Sequence, residues 1–259
     1  MRYGLNFFPS FRTSDRSTAD YFDQVLRLAE RGDELGYTCA KCVEHYFHDY
    51  GGHTLSPIVI LSAIAARTRR MRPITGAVIP AFNHPIKLSG ELAMLDNISN
   101  GRLDVGFGRA FIPKEFDAFG LSMDDSRARF EEGIEVIRRL WIEDRVTHHG
   151  RFFDLADIHL TPRPVQQPHP PIWIAATLTQ ETFIWSGRNG YHIMIVPFAG
   201  ALERNAQMLH TYRQSWEEAA HPPGQCRVQV SIHVYLAETH KAAVEGFKQI
   251  GRASCRERV

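Results

Sequence analysis

Three places in the sequence carry side chains able to do chemistry. Glu44-His45 opens a polar run, Glu44-His45-Tyr46-Phe47-His48-Asp49, just after an apolar stretch. An imidazole there can shuttle protons near neutral pH, with a carboxylate beside it in sequence. Arg109 follows Gly106-Phe107-Gly108. A guanidinium in that place can fork onto a phosphate, and glycine lets a planar ring approach the backbone. Thr177 and Thr179 stand where an amphipathic segment begins, so their hydroxyls and the free N–H groups of a helix start make half of an anion site. Together the three places suggest a phosphorylated cofactor.

Each has a plainer explanation. A strand-end histidine, a solvated arginine and a threonine cap are all common, and the chain has 13 histidines to scatter. Glu44, His45, His48, Asp49 and His53 read poorly as a metal centre, because a metallohydrolase barrel draws its ligands from several strand ends. Cys39 and Cys42, three apart on a strand-like segment, point to opposite faces and cannot chelate one ion together.

The elements that must position these groups alternate. Apolar residues at Tyr21, Phe22, Val25, Leu26 and Ala29 follow a cap-like Thr18 and end at Gly36, which predicts a helix with both ends marked. Tyr37 to Val43 then reads as a strand, Leu55 to Thr68 as a helix, and Pro73 to Ile79 as a strand. Pro85 opens a helix to about Ile98, Gly101 stops it, and Arg102 to Gly108 is the next strand. A helix begun near Ser122 carries Phe130, Ile134, Ile137 and Trp141 on one face, and His149-Gly150 suggests a small hairpin outside the repeat. Strands at Ile172, Tyr191 and Val228 to Leu236 are each followed by a helical pattern, the last a short one around Lys241 to Ile250.

Seven βα units point to an α/β fold of the TIM (β/α)8 type, truncated after the seventh strand. Residues 1–250 are expected to form the incomplete barrel domain. Residues 251–259, polar and with three arginines, are expected to be a foreign tail.

Composition narrows the function. With 259 residues, 44% hydrophobic and 23% charged, the chain can bury a sizeable core. A formal charge of +1 supplies no net field for nucleic acid or anionic lipid. No apolar run approaches the roughly 20 residues of a membrane helix, and the N-terminus does not read as a secretory signal, so a cytoplasmic protein acting on a small molecule is expected.

At these residues the chain resembles the bacterial luciferase-like flavin monooxygenases, a group that includes alkanal monooxygenase. The matching stretches are Gly4-Leu5-Asn6-Phe7-Phe8, Glu44-His45, His84-Pro85, Leu95-Asp96, Ser99 to Leu103, Gly106 to Arg109, and Pro171 to Ala176. The resemblance implies a barrel that holds reduced FMN (FMNH2) at the C-terminal strand ends. FMNH2 would come from a separate flavin reductase and react with O2 through a flavin 4a-hydroperoxide to oxidise a small apolar, carbonyl-containing substrate. His45 matches the catalytic histidine, Arg109 the phosphate arginine, and Thr177, Leu178 and Thr179 the second phosphate loop, with Ala176 before them also expected to bind the cofactor. Gly76 and Ala77 fall on the segment that supports the isoalloxazine, often through a non-proline cis bond. Glu115 falls where luciferase has an acidic residue near the flavin.

Gly108 replaces luciferase's reactive cysteine and Tyr46 the second histidine of the usual pair. An apolar lining is expected from Phe7, Phe8 and Phe111. The resemblance also implies a homo- or heterodimer. Its rivals are a deazaflavin-dependent oxidoreductase on the same barrel and a non-catalytic flavin-binding or dimer-partner protein.

Overall fold

The computed structural model describes residues 1–47, 49, 51–176, 179–197 and 202–256, with side chains described through residue 248 apart from that of residue 202. The chain runs β1 (Gly4–Phe7), α1 (Thr18–Leu35), β2 (Cys39–Cys42), α2 (Pro57–Arg67), β3 (Arg72–Thr75), a 3-10 turn (Pro80–Phe82) and α3 (Pro85–Ile98). It continues with β4 (Val105–Phe107), α4 (Pro113–Ala118), α5 (Ser126–Ile142), the pair β5 (Val146–His149) and β6 (Asp154–Ile158), and β7 (Ile172–Ala175). Then come α6 (Gln180–Arg188), β8 (His192–Ile195), α7 (Leu202–Glu218), β9 (Val228–Val230) and α8 (His240–Arg256).

Two parallel sheets, β1-β2-β3 and β4-β7-β8-β9, are bridged by the parallel pairs Ile74–Asp104 and Val78–Phe107. Parallel strands need crossovers, and the helices supply them while covering the outer face. Residues alternate accordingly. Ala40 and Cys42 pack outward with Val25, Ala29, Leu61 and Ile64 in the main core, whereas Cys39 turns inward to Ile74, Trp173 and Met194. The two cysteines do face opposite sides. A second core under α6 and α7 joins Phe183, Ile193, Ile195, Tyr212 and Trp216.

Local chemistry explains most boundaries. Ser17 rather than Thr18 caps α1, accepting the Asp20 N–H at 3.0 Å, and Gly36 ends the helix at φ 87°. The antiparallel β5–β6 pair stands where the hairpin was expected. Three expectations needed correction. Helix α4, six residues opened by Pro113, was too short to show a periodic stripe. Strand β9 stops at Val230 instead of Leu236, and Ile232, Val234 and Leu236 are exposed. Alternation at 228–236 reads as a strand only if both sides find partners, and among the described residues no pairing joins β9 to β1. Helix α8 runs to Arg256, past the helix end expected near Ile250. No closed barrel is formed by the described strands.

Candidate active site

His45 lies three residues beyond β2, at the C-terminal edge of the sheet, where loops after parallel strands collect functional groups. Its Nδ1 is 3.3 Å from Glu115 Oε1, on the segment after β4 that carries α4. Glu115 is 1% exposed, and the same oxygen accepts the Tyr46 N–H at 2.9 Å. A buried carboxylate with two donors holds the imidazole in one orientation and fixes its tautomer. Phe8 and Phe111 set their rings about His45 edge-on, at centroid distances of 6.0 and 6.1 Å. Gly51 passes behind it at φ 81°, where a Cβ would come within 2.7 Å of the His45 ring.

Glu44 faces the other way and does a different job. It accepts the Tyr46 hydroxyl at 2.5 Å, the Ile79 N–H at 2.9 Å and the Asn83 side-chain amide at 3.2 Å. Burial pushes its pKa up to about 7 against the pull of those three bonds. Glu44 thereby ties β2 to the segment after β3, which contains the cis peptide Gly76–Ala77. Its neighbour in sequence is not its partner in space, as strand alternation requires.

Arg109 leaves β4 exposed. Desolvation, then repulsion from Arg127, lower its pKa, and Glu131 opposes them. Arg127, on the first turn of α5, reaches Glu131 at 3.3 Å and Thr182 Oγ1 at 3.4 Å. Thr182 Oγ1 lies 2.8 Å from Thr179 Oγ1. Thr179 is the N-cap residue of α6, yet its side chain makes no cap bond. The Arg127 guanidinium, two hydroxyls and a helix N-terminus therefore meet on one rim, with Arg109 near enough to Arg127 to feel its charge, a donor set that suits a phosphate dianion.

The predicted residues thus fall into two linked groups. His45 and Glu115 touch, and Arg127 joins Thr182 and Thr179 while its charge acts on Arg109. Phe111 and Glu115, both at His45, belong to the same segment as Arg109. Gly76 donates its N–H to the Cys42 carbonyl at 2.7 Å, and Ala77 follows on the inner face. The Ala176 N–H is held by the Met194 carbonyl at 2.9 Å, and its methyl packs under α6. Thr177, Leu178 and His48 lie outside the described residues. Phe7 is a correction to the expected lining: it packs in the helix-side core, one strand position out of phase with Phe8. Sequence reasoning missed Arg127, Thr182 and Lys41. Arg127 and Thr182 sit in the first turns of helices, the only signal they gave. Lys41, a charged residue inside an apolar strand, was the more readable sign.

The family model described as luciferase-like monooxygenase matches residues 1–257. The chain belongs to the luciferase-like monooxygenase family. Among its relatives is the oxygenase component of a flavin-dependent trigonelline monooxygenase from Acinetobacter baylyi, 31% identical over 251 residues, covering 94% of this chain and 67% of that protein. The crystal structure of monooxygenase RslO1 from Streptomyces bottropensis superposes with a TM-score of 0.95 at 46% identity, covering 99% of this chain and 78% of the other. The FMN-bound oxygenating constituent of 3,6-diketocamphane monooxygenase from Pseudomonas putida shares the fold, with a TM-score of 0.87 at 22% identity over 99% of this chain and 74% of that one. This luciferase-like chain spans 52% to 67% of the length of the first curated relatives it matches.

Proposed function

We propose that this chain is the oxygenase part of a two-component flavin monooxygenase. It takes FMNH2 from a separate flavin reductase and uses O2 to oxidise a small apolar substrate carrying a carbonyl group. The observation that carries the reading is the rim where Arg127 reaches Thr182 and Thr179 at the start of α6, with Arg109 within range of the Arg127 charge. That rim shares one segment with the Glu115–His45 pair. A phosphate anchored there and a ring lying toward His45 fit FMN. The oxygenase-component relative and the FMN-bound fold neighbour support the same reading.

In this reading Arg109, Arg127, Thr177, Leu178 and Thr179 hold the phosphate, while Gly76, Ala77 and Ala176 present backbone to the ring. When bound, the reduced flavin supplies the two electrons that activate oxygen. With His45 Nδ1 turned to Glu115, proton exchange with the substrate falls to Nε2, and Glu115 steadies the imidazolium form. Phe8 and Phe111 keep water from the reacting atoms. The strands are taken as staves of an eightfold barrel, with β1 and β9 as its open edges. A second copy is taken to cover Val59 on α2, 72% exposed, with Met94 and Ile98 on α3.

The test is single-turnover oxidation of the FMNH2-loaded chain with a panel of aldehydes and ketones. Oxygenated product is expected from at least one of them, and His45→Ala should keep FMN while losing product. Hydrogen peroxide alone from every substrate would contradict the reading and mark a non-catalytic flavin binder.

A further inference from the structure

Among the described residues, Lys41 is a buried cation without a counter-ion. It points inward from β2 and is 5% exposed. Among the described residues its ammonium makes one hydrogen bond, to Ser231 Oγ at 2.6 Å, and no ion pair. A buried charge costs several kcal/mol unless it is paired, so an unpaired one is ordinarily lost or kept for a ligand. Burial pulls its pKa down to about 8, and the thiols of Cys39 and Cys42 are the groups that pull it back. The Arg72–Asp104 pair acts in turn on Cys39.

Its place in the sheet says what the charge faces. Lys41 is the penultimate residue of β2, Gly76 the first residue after β3, and Ser231 the first after β9, so all three lie at the C-terminal strand ends. The Lys41 stem occupies the space a Cβ on Gly76 would fill, which makes glycine obligatory there while lysine is present. The ammonium therefore lies beside the backbone segment assigned to the cofactor ring, at the top of the inner face. No carboxylate within ion-pair distance competes for it among the described residues.

We propose that Lys41 is the charge that makes the site prefer reduced over oxidised flavin. The inference rests on the flavin reading above. The oxidised isoalloxazine ring is neutral, whereas the two-electron-reduced ring readily carries a negative charge delocalised about its pyrimidine portion. An ammonium in a low-dielectric site stabilises the second far more than the first. Such a preference suits an oxygenase that must capture reduced flavin released by another protein. Lys41 is here a specificity residue for cofactor redox state; proton transfer stays with His45.

The experiment measures the midpoint potential of FMN bound to the full chain, referred to free FMN at the same pH, together with the dissociation constant of oxidised FMN. Lys41→Met should weaken reduced FMN about tenfold relative to oxidised FMN, which for a two-electron couple moves the bound potential about 30 mV more negative. Lys41→Arg should restore most of the difference. Should Lys41→Met fail to fold, the wild-type pH series decides: the preference is full below about pH 8, where the ammonium is charged, and falls as pH rises through it. A bound potential unaffected by Lys41→Met, or flat across that pH series, overturns the inference while leaving the flavin reading intact. An unchanged potential with a raised KM for anionic substrates alone assigns Lys41 to substrate and also overturns it. Failure of the wild type to bind FMN at all removes the flavin reading itself.

Discussion

From β1 to α4, buried carboxylates are enclosed by donors, whereas between β7 and β9 several buried polar atoms have no partner among the described residues. Glu44 gathers three donors, Asp33 accepts the N–H groups of Arg69, Arg70 and Met71, and Glu115 serves Tyr46 and His45. In the other region Trp173 Nε1, His192 Nδ1 and Gln229 Oε1 have no hydrogen-bond partner among the described residues. Burial, with repulsion from Arg227 adding to it, takes the His192 pKa down to about 4. Beyond β9, Ile232, Val234 and Leu236 are exposed, Leu236 at 87%. Buried polar groups are normally satisfied. The described residues thus satisfy the buried carboxylates of the first region, whereas in the second they leave buried polar atoms and apolar side chains without partners.

The largest effect that would break this contrast is removal of a satisfied carboxylate. Glu44→Ala leaves the Ile79 N–H, the Tyr46 hydroxyl and the Asn83 amide unpaired and should cost about 3 kcal/mol. Urea denaturation checks it, and a loss under about 1 kcal/mol would show that the network is replaceable. Glu115→Ala should lower kcat on the order of 100-fold by freeing the imidazole, with little change in FMN affinity; steady-state kinetics beside an FMN titration separates the two.

A smaller effect is a pH slope. Glu44 binds its proton more tightly folded, at about 7, than unfolded at the usual 4.5. Its contribution to stability is complete below about pH 4.5 and is lost as pH rises through about 7. Lys41, depressed to about 8, contributes in the opposite sense, its stability lost as pH falls through that value. Thermal unfolding of wild type and Glu44→Gln between pH 4.5 and 7.5 should differ in slope, the variant being flatter. The smallest expected effect lies on the open side. Ile232→Ser should change monomer stability by about 0.5 kcal/mol or less, as for ordinary surface positions. A clearly larger loss would mean that a partner or further chain already covers that edge.

The alternating strands and helices could be read from the sequence because each carries its own period, and the amphipathic stripes at Val25 and Ala29 or at Phe130 and Ile134 face the core where the period put them. Helix α4 escaped because six residues cannot show a stripe, though Pro113 marks its start. Strand β9 was read too long, since alternation at 228–236 encodes a preference for a sheet and cannot show whether a neighbouring strand is at hand. At the site, His45 and Arg109 were legible from their strand-end positions. Their partners were not. Glu115 lies 70 residues from His45, and Thr182 lies 55 from Arg127. Periodicity says nothing about contacts at such range. Glu115 came instead from family resemblance, and Arg127 had no signal beyond its place on a helix start.

The central claim is that one rim grips a phosphate and thereby sets a redox ring beside His45. Parallel fluorescence titrations with FMN and with riboflavin, which lacks the phosphate, test it most directly. The wild type should bind FMN more tightly, and Arg109→Ala should weaken FMN about tenfold while leaving riboflavin unchanged. Equal affinity of the wild type for the two flavins, or equal loss of both in Arg109→Ala, would contradict the account.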